Sequence, residues 1–454
     1  MKVFLETYGC QMNMADSEVV RAVLADAGYE LSSVIDEAEV VLINTCAIRE
    51  NAYRKIYGRL DTLRPLRKKI QQEKGHFVVG LLGCMAQNMK EAMFRHPVVN
   101  LVVGPDNYRA LPELISKVTG PGLRVLNAQG KKQRQEMDAD LSEYETYQGI
   151  DPKRFDGVNA WVVIMRGCDN FCTFCVVPYT RGRERSRSLQ DILGEVHKLA
   201  AQGFRQVTLL GQNVNSYHAD GVTFADLIAA VADVPGISRV RFTSPHPKDF
   251  PEPLLEAIAR HPNICKHIHL PLQSGSNRIL ELMNRTYTRE EFIRLTEKIR
   301  QIMPDIALTT DIIVGFPTEN EADHQETVDL VKTVGFDSAY IFKYSERKGT
   351  IASKKFPDDV PMDIKTARIV ELIDLQRAIS LMKNRAKIGT SLDVLIEGES
   401  DKRPGFQMGK SEGNMTVIFP ETPHMPGEII PLEITGATIA TLLAQSQNIP
   451  VLMP

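Results

Sequence analysis

The chain has 454 residues, of which 43% are hydrophobic and 24% charged, and its formal net charge is −3. This length predicts two or three domains, and the near-neutral charge argues against a protein that coats nucleic acid with its whole surface, although a local basic groove is compatible with it. The longest apolar run is shorter than the roughly 20 residues that span a bilayer, and the N-terminus does not resemble a secretory signal. We therefore predict a cytoplasmic protein with no membrane partner. In that compartment its cysteines are expected to be metal ligands or core residues rather than disulfides.

Residues 1–125 are predicted to form a first domain built on a parallel sheet. Buried strand patterns alternate with amphipathic helix patterns, which is typical of a Rossmann-like fold whose sheet is covered on both faces. The predicted strands are KVFLETY, VVLINT, HFVVGLLG and NLVVG. The predicted helices are ADSEVVRAVLADAG, RKIYGRLDTLRPLRKKI and NYRALPELISKVTG.

Three cysteines of this domain stand after predicted strands. Cys10 follows KVFLETYG, Cys46 follows VVLINT and Cys84 follows FVVGLLG. Because the carboxyl ends of parallel strands line one edge of a sheet, these residues, called here the first triad, can meet in space. Each alone is better explained as a core residue, since cysteine is often buried, but their shared position favours a site for a metal cluster.

The rest of the chain is predicted to contain a linker and two more domains. Residues 126–153 are polar without apolar periodicity, which predicts an exposed linker. Residues 154–387 contain six strand–helix units, which predict a partial barrel of α/β class with its reactive end where the strands end. Its predicted strands are AWVVIM, QVTLLG, RVRFT, HIHLPL, LTTDIIVG and SAYIFKY. Residues 388–454 contain SLDVLIEGE, NMTVIF and EIIPLEITGATIATLLA between Gly and Pro turns, which predict a small all-β barrel.

A second group of cysteines lies in the loop after the first predicted strand of the barrel. Cys168, Cys172 and Cys175, called here the second triad, fall within eight positions. This spacing can place three thiolates on three irons of a cubane cluster and leave the fourth iron open for a substrate or cofactor. A structural zinc site is the alternative, but zinc usually takes four protein ligands and the next histidine, His197, lies far along a predicted helix.

This loop resembles that of the radical S-adenosylmethionine (SAM) superfamily. The resemblance implies that the open iron binds the amino and carboxylate groups of SAM and that one electron cleaves SAM to a radical that abstracts hydrogen. Aromatic and polar residues in the loop and at later strand ends would converge on one ligand in a barrel, although a turn or cap role explains most of them singly. The candidate SAM-binding residues are Phe174, Gln212, Asn213, Gln273, Ser274, Arg285, Asp311 and Tyr344.

The segments ETYGCQMNMADSE, INTCAIRENA and GLLGCMAQ resemble the N-terminal domain of the methylthiotransferases. With the radical SAM loop and the C-terminal barrel, known as TRAM in this family, the resemblance covers nearly the whole chain. The letters CQMN around the first cysteine are most similar to the branch that acts on isopentenyladenosine in tRNA. Gln11 and Asn13 are further candidates for lining the reaction cavity, with a turn role as the alternative.

The resemblance implies two [4Fe–4S] clusters, SAM in two roles, and tRNA as substrate. The second triad would carry the cluster that generates the radical, and the first triad would carry a cluster that holds sulfur. One SAM would methylate this sulfur, and a second would supply the radical that takes hydrogen from carbon 2 of the adenine next to the anticodon. An electron donor such as flavodoxin or ferredoxin is an implied partner, and we expect a monomer.

Three alternatives stay open. The same chemistry could act on a ribosomal-protein aspartate or on threonylcarbamoyladenosine in tRNA. A non-catalytic iron–sulfur protein could use its clusters for electron transfer or RNA binding. A zinc-dependent RNA-binding protein is the third alternative.

The predicted RNA contacts are four alternate arginines that follow the second triad. Guanidinium groups suit phosphate because they donate paired hydrogen bonds, although a solvated charged turn is the alternative. Residues 388–454 do not share this basic character, since three Lys or Arg against eight Asp or Glu give −5. An acidic domain would not grip RNA on all sides. The predicted RNA-binding residues are Arg181, Arg183, Arg185 and Arg187.

Overall fold

The computed structural model describes residues 1–47, 50–120, 125–126, 132–154, 157–401 and 403–446. The chain forms two compact units. The first unit comprises Met1–Phe155, Val163–Asp169 and Val176–Arg187, and the second comprises Asp156–Val162, Asn170–Cys175 and Ser188–Pro454. The boundaries of three domains stay predictions, since the second unit includes both the predicted partial barrel and the predicted C-terminal barrel.

A parallel sheet forms the centre of the first unit. Each strand in the middle of the sheet is buried on both faces, as expected when helices cover the sheet on either side. Alternate residues of the third strand enter different cores, with Val40 and Leu42 on one side and Val41 and Ile43 on the other. In the described part of the chain six strands pair in the spatial order Glu30–Leu31, Lys2–Tyr8, Val40–Thr45, Val78–Gly83, Leu101–Val103 and Glu136–Asp138.

The predicted helices of this unit are confirmed, with shifted ends. The first helix begins at Gln11, directly after Cys10, and the second continues through Pro65. The α-helices are Gln11–Asp26, Glu50–Lys74, Cys84–Met89, Leu111–Thr119 and Val177–Arg181, and the short 3-10 helices are Ile35–Glu37, Lys90–Arg95 and Tyr108–Ala110.

The prediction of an exposed linker is wrong for part of residues 126–153. Glu136–Asp138 joins the sheet as an edge strand, and Tyr147 is buried with its ring stacked 5.6 Å from that of Tyr108. An edge strand is held by main-chain hydrogen bonds and so needs no apolar periodicity. The remaining short pairs of this unit are Val125–Leu126 with Lys132–Gln133, and Met165–Arg166 with Arg185–Ser186.

The six predicted strands of the partial barrel are all found. They form two three-stranded sheets, and a parallel bridge between Val240 and Ile264 continues from the first sheet toward the second. In chain order the strands are Asn159–Val163, Gln206–Leu210, Arg239–Phe242, His267–His269, Ala307–Val314 and Ser338–Lys343. A small hairpin pairs His218–Ala219 with Val222–Thr223.

Helices connect these strands, as strand–helix alternation predicts. Several begin at side chains that accept a hydrogen bond from the first turn, namely Ser188, Thr223, Thr288 and Asn320. The α-helices of the second unit are Leu189–Ala201, Phe224–Ala232, Glu252–Arg260, Asn277–Leu282, Arg289–Ile302, Glu321–Val334, Ile351–Lys355 and Met362–Arg385, and its 3-10 helices are Val214–Ser216 and Pro247–Asp249.

The predicted C-terminal β-barrel is confirmed and is closed. Its core consists of alternate residues such as Val394, Ile396, Val417 and Leu432, as expected when one face of each strand points inward. Across residues 388–401 and 403–446 the strands are Ser391–Glu399, Phe406–Ser411, Thr416–Pro420, Ile429–Ala437 and Thr441–Ser446. No helix in the described residues is long and apolar enough to cross a membrane.

Candidate functional site

The first triad lies at the carboxyl ends of three neighbouring strands, as the sequence predicts. Cys46 and Cys84 follow Thr45 and Gly83, which are paired across the sheet, and Thr45 is also paired with Tyr8. The sheet also reverses its strand order between Lys2–Tyr8 and Val40–Thr45, and ligands bind at such reversals in open parallel sheets. The fold therefore brings the three thiols to one edge.

Asn13 fixes Cys10 against the neighbouring strand. Its Oδ1 accepts hydrogen bonds from the backbone N of Cys10 at 3.3 Å and from the Cys10 Sγ at 3.4 Å. Its Nδ2 donates to Asn44 Oδ1 at 3.2 Å and to the Thr45 carbonyl at 3.3 Å. Asn13 is fully buried, whereas Gln11 is exposed, so the polar groups of Asn13 are used inside the fold.

The environment of the first triad affects its thiols differently. A hydrogen bond with Cys46 lowers the pKa of Cys10 to about 6, with burial opposing the shift and the charge of Arg181 assisting it. Burial raises the pKa of Cys84, although the charge of Arg181 opposes this rise. Cys10 is also close enough to Cys84 to influence its ionisation. The three thiols therefore form one electrostatic group.

A buried ionic cluster adjoins the first triad. Arg181 Nε donates to Cys84 Sγ at 3.2 Å, and its Nη2 donates to Asp16 Oδ2 at 2.7 Å. The other oxygen of Asp16 accepts from Arg166 Nη2 at 2.5 Å. Burial alone would raise the pKa of Asp16, but the two arginines hold it below its ordinary value. The sequence analysis did not identify Asp16 as a residue of the site. A carboxylate among the apolar residues of an amphipathic helix is the pattern that could have pointed to it.

Three of the four predicted RNA-binding arginines are enclosed in the protein. Arg181 faces the first triad, Arg185 Nη2 donates to Asp106 Oδ1 at 3.0 Å, and Arg187 Nη1 donates to the Val163 carbonyl at 2.7 Å. A buried guanidinium with such partners cannot meet a phosphate of docked RNA, so the structure corrects the prediction for these three. The side chain of Arg183 is 66% exposed and fits that role.

The second triad is divided between the two units. In the first unit the backbone N of Cys168 donates to the Gly182 carbonyl at 3.1 Å. Gly167 before it has φ +79°, and a Cβ there would lie 1.9 Å from the Arg183 carbonyl oxygen, so only glycine fits. In the second unit the backbone N of Cys175 donates to the Cys172 carbonyl at 2.9 Å, which closes a tight turn.

Arg285 and Phe174, two SAM candidates, belong to the second unit, as do Cys172 and Cys175 of the second triad. Arg285 Nη1 donates to Cys172 Sγ at 3.2 Å, and its Nη2 donates to the Pro271 carbonyl at 3.2 Å. Phe174 packs against an apolar cluster that includes Tyr344, a third candidate. Arg285 therefore contacts one thiol of the second triad.

Tyr344 and a further candidate, Gln212, present polar atoms that have no partner within the described residues. The hydroxyl of Tyr344 and Oε1 of Gln212 are both buried and lack a hydrogen bond. Burial raises the pKa of Tyr344 to about 12, so its hydroxyl stays protonated. Buried polar atoms without partners are uncommon, and they fit positions that a polar ligand occupies.

The remaining SAM candidates have partners within the fold. Asn213 Nδ2 donates to Asp249 Oδ2 at 3.2 Å, and Ser274 Oγ lies 3.4 Å from the Thr327 hydroxyl. Gln273 has φ +69°, an unusual conformation for a residue other than glycine, and its backbone bridges to the strand that carries Asp311.

Asp311 belongs to a group that sequence reasoning missed in part. His269 Nε2 lies 3.2 Å from Asp311 Oδ2, and the ring of His269 lies 6.0 Å from that of Tyr340 in an edge contact. Tyr340 and Phe342 are 59% and 43% exposed. Exposed aromatic residues alternating on one strand were the available signal for a stacking surface.

The side chains of the two triads match the chemistry of an iron–sulfur cluster. Among the residues that the structure describes, no group of three His, Cys, Asp or Glu side chains is placed to hold a metal ion. Each triad offers three thiols, one of which accepts a hydrogen bond from a buried arginine. Thiolates are the ligands that iron–sulfur clusters take, and hydrogen bonds to sulfur tune their reduction potentials. The residues present therefore fit such a group.

Two known family models match the segments that contain the two triads. A model described as the radical SAM superfamily matches residues 162–331, which include the second triad. A model described as uncharacterized protein family UPF0004 matches residues 2–104, which include the first triad.

Similar proteins match along nearly the whole chain. A Bacteroides fragilis protein named tRNA-2-methylthio-N(6)-dimethylallyladenosine synthase is 49% identical over 449 residues, covering 97% of this chain and 94% of the relative. A protein of the same name from Chloroherpeton thalassium is 45% identical, covering 98% of this chain and 96% of the relative.

Among solved structures, the chain resembles the radical S-adenosylmethionine methyltransferase TsrM of Kitasatospora setae, determined with cobalamin and a [4Fe-4S] cluster bound. The TM-score is 0.55 at 17% identity, and the match covers 78% of this chain and 77% of that one. At this identity the likeness shows the fold alone.

Proposed function

This chain belongs to the tRNA-2-methylthio-N(6)-dimethylallyladenosine synthase family of the radical SAM superfamily, and we propose that it inserts sulfur at carbon 2 of N(6)-isopentenyladenosine next to the anticodon of tRNA and methylates it. The observation that carries this proposal is the match of relatives with that name along 97% of the chain. The thiols at three neighbouring strand ends support it.

The family implies an iron–sulfur cluster and SAM, and we propose two [4Fe–4S] clusters. Cys168, Cys172 and Cys175 hold one, and the first triad holds the other. When bound, these cofactors supply one-electron cleavage of SAM to a hydrogen-abstracting radical, together with a sulfur atom that accepts a methyl group. Cys10 is set for ligation by its lowered pKa, which lets its thiol lose a proton more readily than that of Cys84, whose pKa burial raises.

Side chains of the second unit would bind and orient SAM. Gln212 Oε1 would accept a hydrogen bond from it, and the Tyr344 hydroxyl, which stays protonated, would donate one. Arg285 holds Cys172 and compensates its thiolate charge. Tyr340 and Phe342 offer exposed ring faces on which an adenine can stack, with Asp311 nearby as an acceptor.

The tRNA is bound by a surface to which Arg183 contributes. The acidic balance of residues 388–454 restricts RNA contacts of the C-terminal barrel to one face. An external one-electron donor such as flavodoxin or ferredoxin is required, because SAM cleavage consumes an electron. The enzyme works as a monomer in the cytoplasm.

Mass spectrometry of tRNA nucleosides tests the reaction. A strain that lacks its own enzyme for this modification accumulates isopentenyladenosine, and expression of this chain is expected to convert it to the 2-methylthio derivative. A Cys168→Ala variant produced at the same level is the inactive control. Unchanged isopentenyladenosine with the wild-type chain, or methylthiolation of threonylcarbamoyladenosine instead, would refute the proposed substrate.

Iron analysis tests the two clusters separately. After anaerobic reconstitution the wild-type chain is expected to hold about eight iron atoms, and variants with alanine at all three positions of either triad about four. A wild-type value near four would leave one triad without a cluster. Colourless protein containing zinc would favour the zinc alternative, and a chain that makes no 5′-deoxyadenosine from SAM and a reductant would favour the electron carrier.

A further inference from the structure

A group of five buried charged residues in the first unit carries a surplus positive charge. Arg166 and Arg181 share the carboxylate of Asp16, and Arg185 pairs with Asp106. None of these side chains is more than 5% exposed. Three guanidinium groups and two carboxylates leave one positive charge in excess. Burying an unpaired charge is costly, so the surplus requires an anion close by.

Arg181 is the member of this group that contacts the first triad. This guanidinium donates from Nη2 to the carboxylate that it shares and from Nε to Cys84 Sγ at 3.2 Å. Its Nη1 is buried and has no hydrogen-bond partner in the described portion of the chain. Cys84 is thus the group that receives the remaining charge of Arg181, and a thiolate bound to iron would supply the missing negative charge.

The second unit contains a comparable pair. Arg285 Nη1 donates to Cys172 Sγ, also at 3.2 Å. Its other nitrogens donate to the Pro271 carbonyl and the Tyr287 hydroxyl, and no carboxylate is among these partners. Each triad therefore has one buried arginine directed at one ligand sulfur, but only the first triad shares its arginine with a carboxylate.

We infer that Arg181, held in place by Asp16, is a positioning residue that acts through Cys84 to raise the reduction potential of the cluster on the first triad. Reduction adds one negative charge to the cluster, and a fixed buried cation stabilises the more negative state. Asp16 has the opposite effect on the potential, because it offsets part of this positive charge. The inference rests on the proposed function, which assigns a cluster to the first triad.

The test measures one cluster at a time. A parent chain with Cys168→Ala, Cys172→Ala and Cys175→Ala retains only the first triad, and its midpoint potential is measured by redox titration with electron paramagnetic resonance. We expect Arg181→Gln to lower the equilibrium constant for one-electron reduction about tenfold, which is about 59 mV. Arg181→Lys keeps the charge and is expected to shift the potential less. Asp16→Asn is expected to shift it upward.

The matched control is Arg64→Gln, which removes an exposed arginine of the first unit and is expected to leave the potential unchanged. Opposite shifts in the Arg181→Gln and Asp16→Asn variants distinguish charge from general disruption, which would move both the same way. An unchanged potential in Arg181→Gln at full iron content overturns the inference. If Arg181→Gln binds no iron, Asp16→Asn decides, and an unchanged or lower potential there overturns it. A parent chain without iron would instead overturn the proposed cluster on the first triad.

Discussion

At the scale of single residues, arginine takes on tasks in this chain that its position in the sequence does not reveal. Arg181 and Arg285 each donate from one nitrogen to a sulfur of a cysteine triad and from another to a neighbouring oxygen. A planar fork with several donors can hold a sulfur and a second partner at once, which a lysine ammonium on a flexible stem does less well. The sulfur atoms therefore sit in a fixed electrostatic environment.

The seventh cysteine is expected to be structural. Cys265 is 2% exposed, and burial raises its pKa, so it is a protonated thiol in the core of the second unit. Replacing it with alanine should leave the iron content per chain unchanged and lower the free energy of unfolding by about 1 kcal/mol through the small cavity it creates. Cys84→Ala, with about half the iron lost, is the comparison. Loss of iron from Cys265→Ala would contradict this assignment.

His246 should make the folded chain sensitive to acid. Burial, assisted by the charges of Arg285 and Lys248, lowers the pKa of His246 to about 2, and its Nδ1 accepts a hydrogen bond from the Lys248 backbone. Between the ordinary histidine pKa and this value, the unfolded chain binds a proton that the folded chain does not. Stability is therefore complete above about pH 6.5 and falls as the pH decreases toward 2.

The measurement compares wild type with His246→Asn, whose side-chain oxygen can still accept from Lys248 but cannot titrate. Urea unfolding of the iron-free chains should show wild type losing about 1 kcal/mol more than the variant between about pH 7 and 5.5. Equal losses of stability in the two chains would mean that the folded chain protonates His246 as readily as the unfolded chain does.

The alternate arginines after the second triad show where residue-level prediction ends. Their spacing indicates phosphate contacts, yet only Arg183 is exposed. The carboxylate that holds Arg181 lies 165 positions earlier in the chain. Burial of a charge depends on such distant partners, and a local sequence pattern does not contain them.

At the scale of elements, the turn after the fourth barrel strand depends on close packing against a helix. A Cβ on Gly275 would lie 2.5 Å from Thr327 Cα and 2.6 Å from the Glu326 carbonyl oxygen, both backbone atoms of Glu321–Val334. The Gly275 backbone N also donates to the Thr327 hydroxyl at 2.8 Å. The candidate SAM residues Gln273 and Ser274 are held in place by this contact.

Gly275→Ala should therefore destabilise the chain by about 2 kcal/mol or more, because backbone cannot move aside as a side chain can. Gly194→Ala is the matched control, since Gly194 lies within Leu189–Ala201 and its Cβ would meet nothing within 4 Å. Alanine there should stabilise the helix by about 0.5 to 1 kcal/mol. Chemical unfolding of both variants checks the difference, and equal effects would refute the packing argument.

Strands with apolar residues on both faces could be predicted from the sequence. Strands at a sheet edge, or with polar outward residues, could not. The buried strands Val40–Thr45 and Val78–Gly83 were found because both faces are apolar, and this also placed the first triad at their ends. Glu136–Asp138 at a sheet edge was missed, and so was Phe406–Ser411, whose outward residues and glycine obscure its alternation.

At the scale of the whole molecule, two arginines of the partial barrel bind the C-terminal barrel within the second unit. Both lie on the strand Arg239–Phe242. Arg239 donates to the carbonyls of Lys410 and Asp393 at 2.6 and 2.8 Å. Arg241 donates to the carbonyls of Glu412 and Ser411 at 2.9 and 2.7 Å. These charged donors on backbone carbonyls help to orient the C-terminal barrel, and Glu412 Oε1 also accepts a hydrogen bond from the backbone N of Lys266 at 3.0 Å.

Replacing both arginines with methionine should uncouple the C-terminal barrel while its own core stays folded. Each hydrogen bond from a charged group contributes roughly 1.5 to 3 kcal/mol, and the four carbonyls would lose their partners. Hydrogen exchange should accelerate in Ser391–Glu399 and Phe406–Ser411. The control is Arg260→Met, which replaces an arginine whose side chain is 73% exposed.

Under the proposed function, the double variant should still make 5′-deoxyadenosine from SAM but bind tRNA more weakly, because a loosely held barrel loses more conformational entropy on contact with RNA. Unchanged exchange would show that other contacts hold the barrel, and unchanged tRNA affinity with faster exchange would show that RNA binds elsewhere.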